Sequence, residues 1–215
     1  MKQIFFIFTL LLSLTSQASD VLFLGDSHSV GPFGRSFDQH LRSSGLKVNT
    51  FASCGSIAQW WKTGKKTPCG FFSKSEDGQV VDVKEHATPV LEELLRELRP
   101  RVVVVELGGN YVNVPSDDFA RSDIDTLITS IVNSGAQCFW ITNPDSRTNR
   151  AAIPRILKLI QEGVGQRCPI FESWQVTKYP ESGGDGIHYW SSQGTPIAQS
   201  WAKAAYARFL EYFPL

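Results

Sequence analysis

The stretch Val21-Leu22-Phe23-Leu24-Gly25-Asp26-Ser27-His28-Ser29-Val30-Gly31 decides the fold. Four apolar residues run into Gly25-Asp26-Ser27, and beyond Pro32 the apolar residues Phe33, Phe37 and Leu41 recur at helical spacing. A buried strand, a tight glycine turn and a helix would put Ser27 at the carboxyl end of a strand, beside a helix N-terminus, where α/β folds place ligands. Ser27 is therefore the candidate nucleophile. A simple turn with a helix cap uses the same residue types, so this stretch alone leaves both readings open.

The rest of the chain alternates in period. Leu46 to Ala52 reads as a short strand ending in Ser53-Cys54-Gly55-Ser56, and Thr88 to Leu98 as a helix stopped by Pro100. Val102 to Leu107 is nearly all apolar, as a central strand covered on both faces requires, and ends in Gly108-Gly109-Asn110. Asp117 to Asn133 is helical and Gln137 to Thr142 a strand. Ile153 to Gly163 is a further helix, Pro169 to Ser173 a fifth strand and Thr195 to Phe213 a final helix. Strands alternating with helices imply a parallel sheet with helices on both faces. Between Ile57 and about Lys84 no regular period holds; Trp60, Trp61, Phe71 and Phe72 stand there among lysines, glycines and Cys69, as in an insertion pinned by a disulfide.

At 215 residues with 42% apolar content, the chain is one domain with enough material for a single core. Basic and acidic residues number 21 each, which leaves no electrostatic footprint for nucleic acid or an anionic membrane. Met1 to Ala18 has an early lysine, an apolar run from Ile4 to Leu12 and small residues at Ser16 and Ala18, the layout of a cleaved secretory signal. The run is too short for a membrane span, so the expected product is exported, soluble and monomeric, periplasmic in a Gram-negative host. Four cysteines in an exported chain fit two disulfides in three pairings, of which Cys54 with Cys69 and Cys138 with Cys168 is the simplest. No cysteine or histidine spacing suggests a metal, and no cofactor is expected.

Chemistry enters at Gly183-Gly184-Asp185-Gly186-Ile187-His188, between the last strand and the last helix. On a glycine-flanked loop, Asp185 can meet one imidazole nitrogen of His188 while the other faces outward, the arrangement by which a histidine takes a proton from a serine. Acyl transfer also needs donors for a developing oxyanion. Gly55 and Asn110 follow the second and third strands on the same rim, the glycine allowing close approach of a backbone N–H and the asparagine offering an amide. Each also suits an ordinary turn.

Together these residues make the chain resemble the SGNH (GDSL-type) hydrolases, whose motif blocks supply Ser, Gly, Asn and His in that order. Gly25-Asp26-Ser27 matches the first block, Gly55 the second, Gly108-Gly109-Asn110 the third and Asp185-Gly186-Ile187-His188 the last. The resemblance implies a three-layer α/β/α, flavodoxin-like fold with a five-stranded parallel sheet over residues 19–215, interrupted by the insertion at about 56–85. It also implies a metal-independent site. Ser27 would attack an ester carbonyl, His188 act as base and then acid, and Asp185 orient it; the Ser27 and Gly55 N–H groups and the Asn110 side chain would form the oxyanion hole. One departure is Tyr111, where the family commonly has Asp.

The expected activity is hydrolysis of short acyl esters, O-acetyl foremost, on a carbohydrate or cell-envelope polysaccharide. An acyltransferase sharing the acyl-enzyme, a lipase-type esterase and an idle glycan-binding module are the alternatives. Candidate substrate contacts are Trp60, Trp61, Tyr111 and His28. The tryptophans, with Phe71 and Phe72, suit either stacking on sugar rings or a small satellite core, and His28 suits either a pocket wall or an ordinary first helical turn.

Overall fold

The computed structural model describes residues 18–215. The signal expected over Met1 to Ala18 lies outside the described residues except for Ala18 itself. From the amino end, β1 (Val21–Gly25) leads through the single turn α1 (Ser27–Val30) into α2 (Pro32–Ser43) and β2 (Val48–Ser53). Next come α3 (Ala58–Thr63), β3 (Lys66–Thr67), β4 (Phe71–Lys74), β5 (Val80–Val83), β6 (His86–Ala87) and α4 (Leu91–Leu98). The second half alternates strictly: β7 (Val102–Glu106), α5 (Asp117–Asn133), β8 (Gln137–Ile141), α6 (Ile153–Val164), β9 (Ile170–Phe171) and α7 (Gly194–Tyr212).

The sheet has seven strands in the order β5-β4-β2-β1-β7-β8-β9. Strands β2, β1, β7, β8 and β9 pair in parallel, whereas β4 joins β2 and β5 joins β4 in antiparallel register. This corrects the expected five-stranded, all-parallel, flavodoxin-like SGNH sheet. The two added strands come from the segment that lacks a regular period. There Phe71-Phe72-Ser73-Lys74 and Val80-Val81-Asp82-Val83 form a hairpin closed by the bond from Ser75 N–H to the Gln79 carbonyl. The signal was Asp77-Gly78 beside a valine pair, a hairpin turn that needs the positive φ (+88°) Gly78 adopts. It is masked because β5 is exposed at every residue and so never alternates. Residues of β3 and β6 form a separate two-stranded ribbon.

Successive side chains of a strand point to opposite faces, and the core divides accordingly. Leu22, Leu24, Val103, Val105, Cys138 and Trp140 pack under α3 to α6. Val21, Phe23, Val102, Val104, Phe139 and Ile141 pack under α2 and α7, where Phe33 stacks on Trp201 with ring centroids 3.5 Å apart. Being covered on both sides, β1 and β7 carry unbroken apolar runs that no water-facing strand would need. Disulfides join Cys54 to Cys69, pinning the end of β2 to the start of β4, and Cys138 to Cys168, pinning β8 to the residues before β9.

The α5·α6 contact depends on Gly163. A Cβ there would lie 2.8 Å from Cβ and Cγ2 of Ile124 and 3.1 Å from the Arg121 carbonyl, a branched side chain and a backbone that cannot yield. Gly163→Ala should therefore destabilise the protein by about 1–3 kcal/mol, the usual cost of overpacking. A urea melt should show a lower midpoint at unchanged slope; an unchanged midpoint would mean the helices separate freely.

Candidate active site

Because β1 is flanked by parallel β2 and β7, the loops following all three strands open on one rim, which is where α/β sheets bind ligands. Ser27 begins α1 directly beyond β1. Asp26 caps that turn, its Oδ1 accepting the His28 N–H at 2.9 Å. The backbone N–H of a residue at the first position of a helix has no intrahelical acceptor and stays available to a ligand. Gly25 is required by close approach, since a Cβ there would sit 2.0 Å from Ser29 Oγ.

Opposite Ser27 stands the loop before α7. His188 Nε2 lies 2.9 Å from Ser27 Oγ, and His188 Nδ1 lies 2.6 Å from Asp185 Oδ2. Asp185 Oδ1 accepts the backbone N–H groups of Ile187 (2.8 Å) and His188 (2.7 Å). Partial burial pushes the Asp185 carboxyl up, but the His188 ring and these two N–H groups outweigh it and hold it at about 2. Asp185 is thus anionic throughout the neutral range, as a group that orients an imidazole must be. The loop reaches this shape because Gly186 takes a φ of +85°, in space where a Cβ would meet Thr148 Oγ1 at 2.2 Å. Tyr179 braces it, donating to the His188 carbonyl at 3.0 Å.

A cleft of about 140 Å³ opens between these groups, lined among others by Ser27, Asn110, Val112, Pro144, Ile187 and His188. Asn110 belongs to the 3₁₀ turn Gly109–Asn113 after β7, and its Nδ2 donates to Asp26 Oδ2 (3.2 Å) and the Ser56 carbonyl (3.0 Å). Gly55 has a φ of +83° and lies against the Trp60 ring and Cys69, outside the residues lining the cleft. His28 lines the cleft and packs on Trp201 and Tyr189; burial lowers its pKa to about 3, so it is neutral.

Two candidate substrate contacts are corrected. Trp61 and Tyr111 are both 0% exposed and belong to the core, so neither meets a substrate. Tyr111 instead donates to Asp123 Oδ2 (2.8 Å) and accepts the Ala58 N–H (3.1 Å), tying the Asn110 turn to α3 and α5. Phe71 and Phe72 are buried too, and partly buried Trp60 lies under the Lys65 ammonium. The exposed aromatic beside the site is Trp190, 49% accessible, with its ring stacked on His188 at 4.5 Å. The signal was its position two residues past the histidine, in a loop with no apolar period to bury it. Among the described residues no group of three or more His, Cys, Asp or Glu is placed to hold a metal ion, and no helix is long and apolar enough to cross a membrane.

No family model matches the sequence, and no curated protein does. Solved structures do match in fold. A peptidoglycan O-acetylesterase aligns with a TM-score of 0.59 over 92% of this chain and 92% of its own, at 12% identity. The psychrotrophic esterase EstA from Pseudoalteromonas sp., in a form inhibited by monoethylphosphonate, aligns at 0.56 over 90% of this chain and 99% of its own, at 13% identity. LAE5, an alpha/beta hydrolase enzyme from the metagenome of Lake Arreo, Spain, aligns at 0.56 over 89% and 97%, at 11% identity. The likeness is one of fold: a mixed seven-stranded sheet flanked by helices, over most of each chain. The SGNH (GDSL-type) resemblance, with its five-stranded parallel sheet, is corrected by the sheet itself, which is mixed and seven-stranded.

A serine hydroxyl within hydrogen-bonding reach of an imidazole that is itself held by a carboxylate has the arrangement of an activated nucleophile. A serine-directed phosphonate should therefore attach to Ser27, giving one stoichiometric adduct by mass spectrometry that disappears in Ser27→Ala. Labelling at another serine, or none at all, would remove Ser27 from that role.

Proposed function

We propose that the protein is a serine esterase that cleaves short acyl groups, acetyl foremost, from a carbohydrate. The observation that carries this reading is the unbroken chain from Asp185 through His188 to Ser27, at 2.6 and 2.9 Å. As Ser27 Oγ attacks the ester carbonyl, His188 Nε2 takes its proton. The Asp185 carboxylate keeps the imidazole in the right tautomer and stabilises the imidazolium. The imidazolium then hands the proton to the departing sugar oxygen, leaving an acyl-Ser27 ester, and a water activated by the same nitrogen releases the acid. The Ser27 N–H, at the first position of α1, is the donor this reading assigns to the developing oxyanion; Asn110 lines the same cleft with its amide hydrogens on Asp26 and the Ser56 carbonyl, and Gly55 lies outside it.

The size of the cleft favours a short acyl group. About 140 Å³ between Val112, Pro144 and Ile187 is well below the roughly 300 Å³ at which pockets begin to take drug-sized ligands. A carbohydrate is favoured by Trp190. It borders an open groove of about 490 Å³ shared with Ser36, Gln39 and Gln199, amide and hydroxyl groups suited to sugar hydroxyls beside an aromatic face suited to a sugar ring. The peptidoglycan O-acetylesterase of similar fold agrees with this chemistry. Two disulfides and the signal-like Met1 to Ala18 favour export to an oxidising, extracytoplasmic compartment, where the enzyme would work as a monomer.

Release of p-nitrophenol from acetyl through long-chain esters tests the activity. Acetate ester should be the best substrate, and Ser27→Ala should lose at least about a thousandfold in kcat. Equal rates in wild type and Ser27→Ala would refute the mechanism, and preference for long chains would refute the short-acyl reading. Trp190→Ala should raise KM several-fold on an acetylated polysaccharide while leaving p-nitrophenyl acetate within about twofold, because only the glycan reaches the groove. Equal losses on both would mean that Trp190 serves His188 and not the sugar.

A further inference from the structure

Strand β7 is four valines followed by one charged residue, Glu106, which is 0% exposed beside Gly25 of β1. Its Oε2 accepts Ser29 Oγ at 2.7 Å, whereas Oε1 is buried with no hydrogen-bond donor among the described residues. Within hydrogen-bonding reach of the Glu106 side chain lies the carboxyl of Asp26, 1% exposed and directly before the nucleophile. Two ionised carboxylates are acceptors only. Facing each other out of water they would repel and leave Oε1 unsatisfied, and one proton between them removes both penalties.

The hydrogen-bond count says which carboxyl keeps that proton. Asp26 accepts two N–H donors, from His28 at 2.9 Å and from Asn110 Nδ2 at 3.2 Å, which favour its anion. Glu106 Oε2 accepts the Ser29 hydroxyl, and Oε1 has no donor among the described residues. Burial and the Asp26 charge push Glu106 well above the usual carboxylate range, and burial raises Asp26 to about 6. Around the pair, Ser29 and Ser56 are uncharged, buried His28 is neutral, and His188, itself paired with Asp185, is the ionisable group whose positive form acts on Asp26.

We infer that Glu106 is a positioning residue that stays a neutral acid and donates a hydrogen bond from Oε1 to Asp26, locking one buried negative charge against the Asn110 amide and within the field of His188. The locked carboxylate holds the Asn110 side chain at the rim of the cleft. It also stabilises the imidazolium that forms when Ser27 gives up its proton, adding to the effect of Asp185. Glu106 itself touches neither substrate nor reacting atoms.

Infrared difference spectroscopy and kinetics of the full-length exported protein test this. At pH 8 the wild type should show the C=O stretch of a neutral carboxyl, and Glu106→Gln should lack it. Glu106→Gln should keep kcat within about threefold, since its amide N–H replaces the acid O–H as donor to Asp26. Glu106→Leu, which leaves Asp26 without that donor, should lose about tenfold or more in kcat at unchanged KM. Identical carboxyl regions in wild type and Glu106→Gln, or a Glu106→Gln as slow as Glu106→Leu, would overturn the inference. If Glu106→Leu does not fold, the infrared band and the Glu106→Gln rate decide alone. The kinetic arm rests on the esterase reading and the infrared arm does not. A wild type inert on every ester would therefore sink that reading while the band still reports the Glu106 proton.

Discussion

Ser27 and His188 are 161 residues apart in the chain and bonded at 2.9 Å, and the rest of the structure serves that contact. It requires β1 at the centre of the sheet, so that the loops after β2 and β7 and the loop before α7 converge on one rim. Central placement in turn requires β1 to be apolar on both faces, which Val21, Leu22, Phe23 and Leu24 satisfy. The packing of α2 on α7, through Phe33, Phe37 and Trp201, brings the two ends of the chain together. Core and site are thus one problem: a looser α2·α7 contact would lengthen the bond between Ser27 and His188.

Against this apolar frame the molecule buries polar groups at a cost. Asp26 and Glu106 sit directly beneath the site. An Asp raised to about 6 binds more protons folded than unfolded between its ordinary pKa and 6, so its contribution to stability falls as pH rises through that window. Asp185 has the opposite sign: depressed to about 2, it contributes stability above its ordinary pKa and loses it as pH falls through 2. The destabilising pair lies beside Ser27 and the stabilising group at the rim, the pattern expected where function and stability oppose each other.

The outline of the fold was legible because long apolar periods report burial directly. The run Val102 to Val105, the helices α5 to α7 and the glycine-rich loop at Asp185 and His188 all follow from composition and spacing. Strands β4 and β5 were not legible, since β4 buries two consecutive phenylalanines in place of alternate residues and the edge strand β5 is exposed at every residue. The same limit misassigned Trp61 and Tyr111. An aromatic residue looks alike in sequence whether it fills a core or lines a pocket, and only the packing of α3 and α5 put these two at 0% exposure. Trp190, unremarked in the sequence, has its edge packed on Gly31, where a Cβ would lie 2.1 Å from its Nε1, while the ring stays 49% exposed.

By itself the sequence determined that Ser27, Asp185 and His188 are the candidates for chemistry and that runs such as Val102 to Val105 are buried, since both depend on residue type and near-neighbour spacing. The tertiary structure decided what those residues meet: that Asn110 is clamped by Asp26 and Ser56, that Gly55 lies outside the cleft, and that Glu106, one acid at the end of four valines, faces a second carboxyl. These are contacts between strands and loops far apart in the chain. Their geometry is set by sheet order and helix packing, neither of which leaves a local trace in the residues that make the contact.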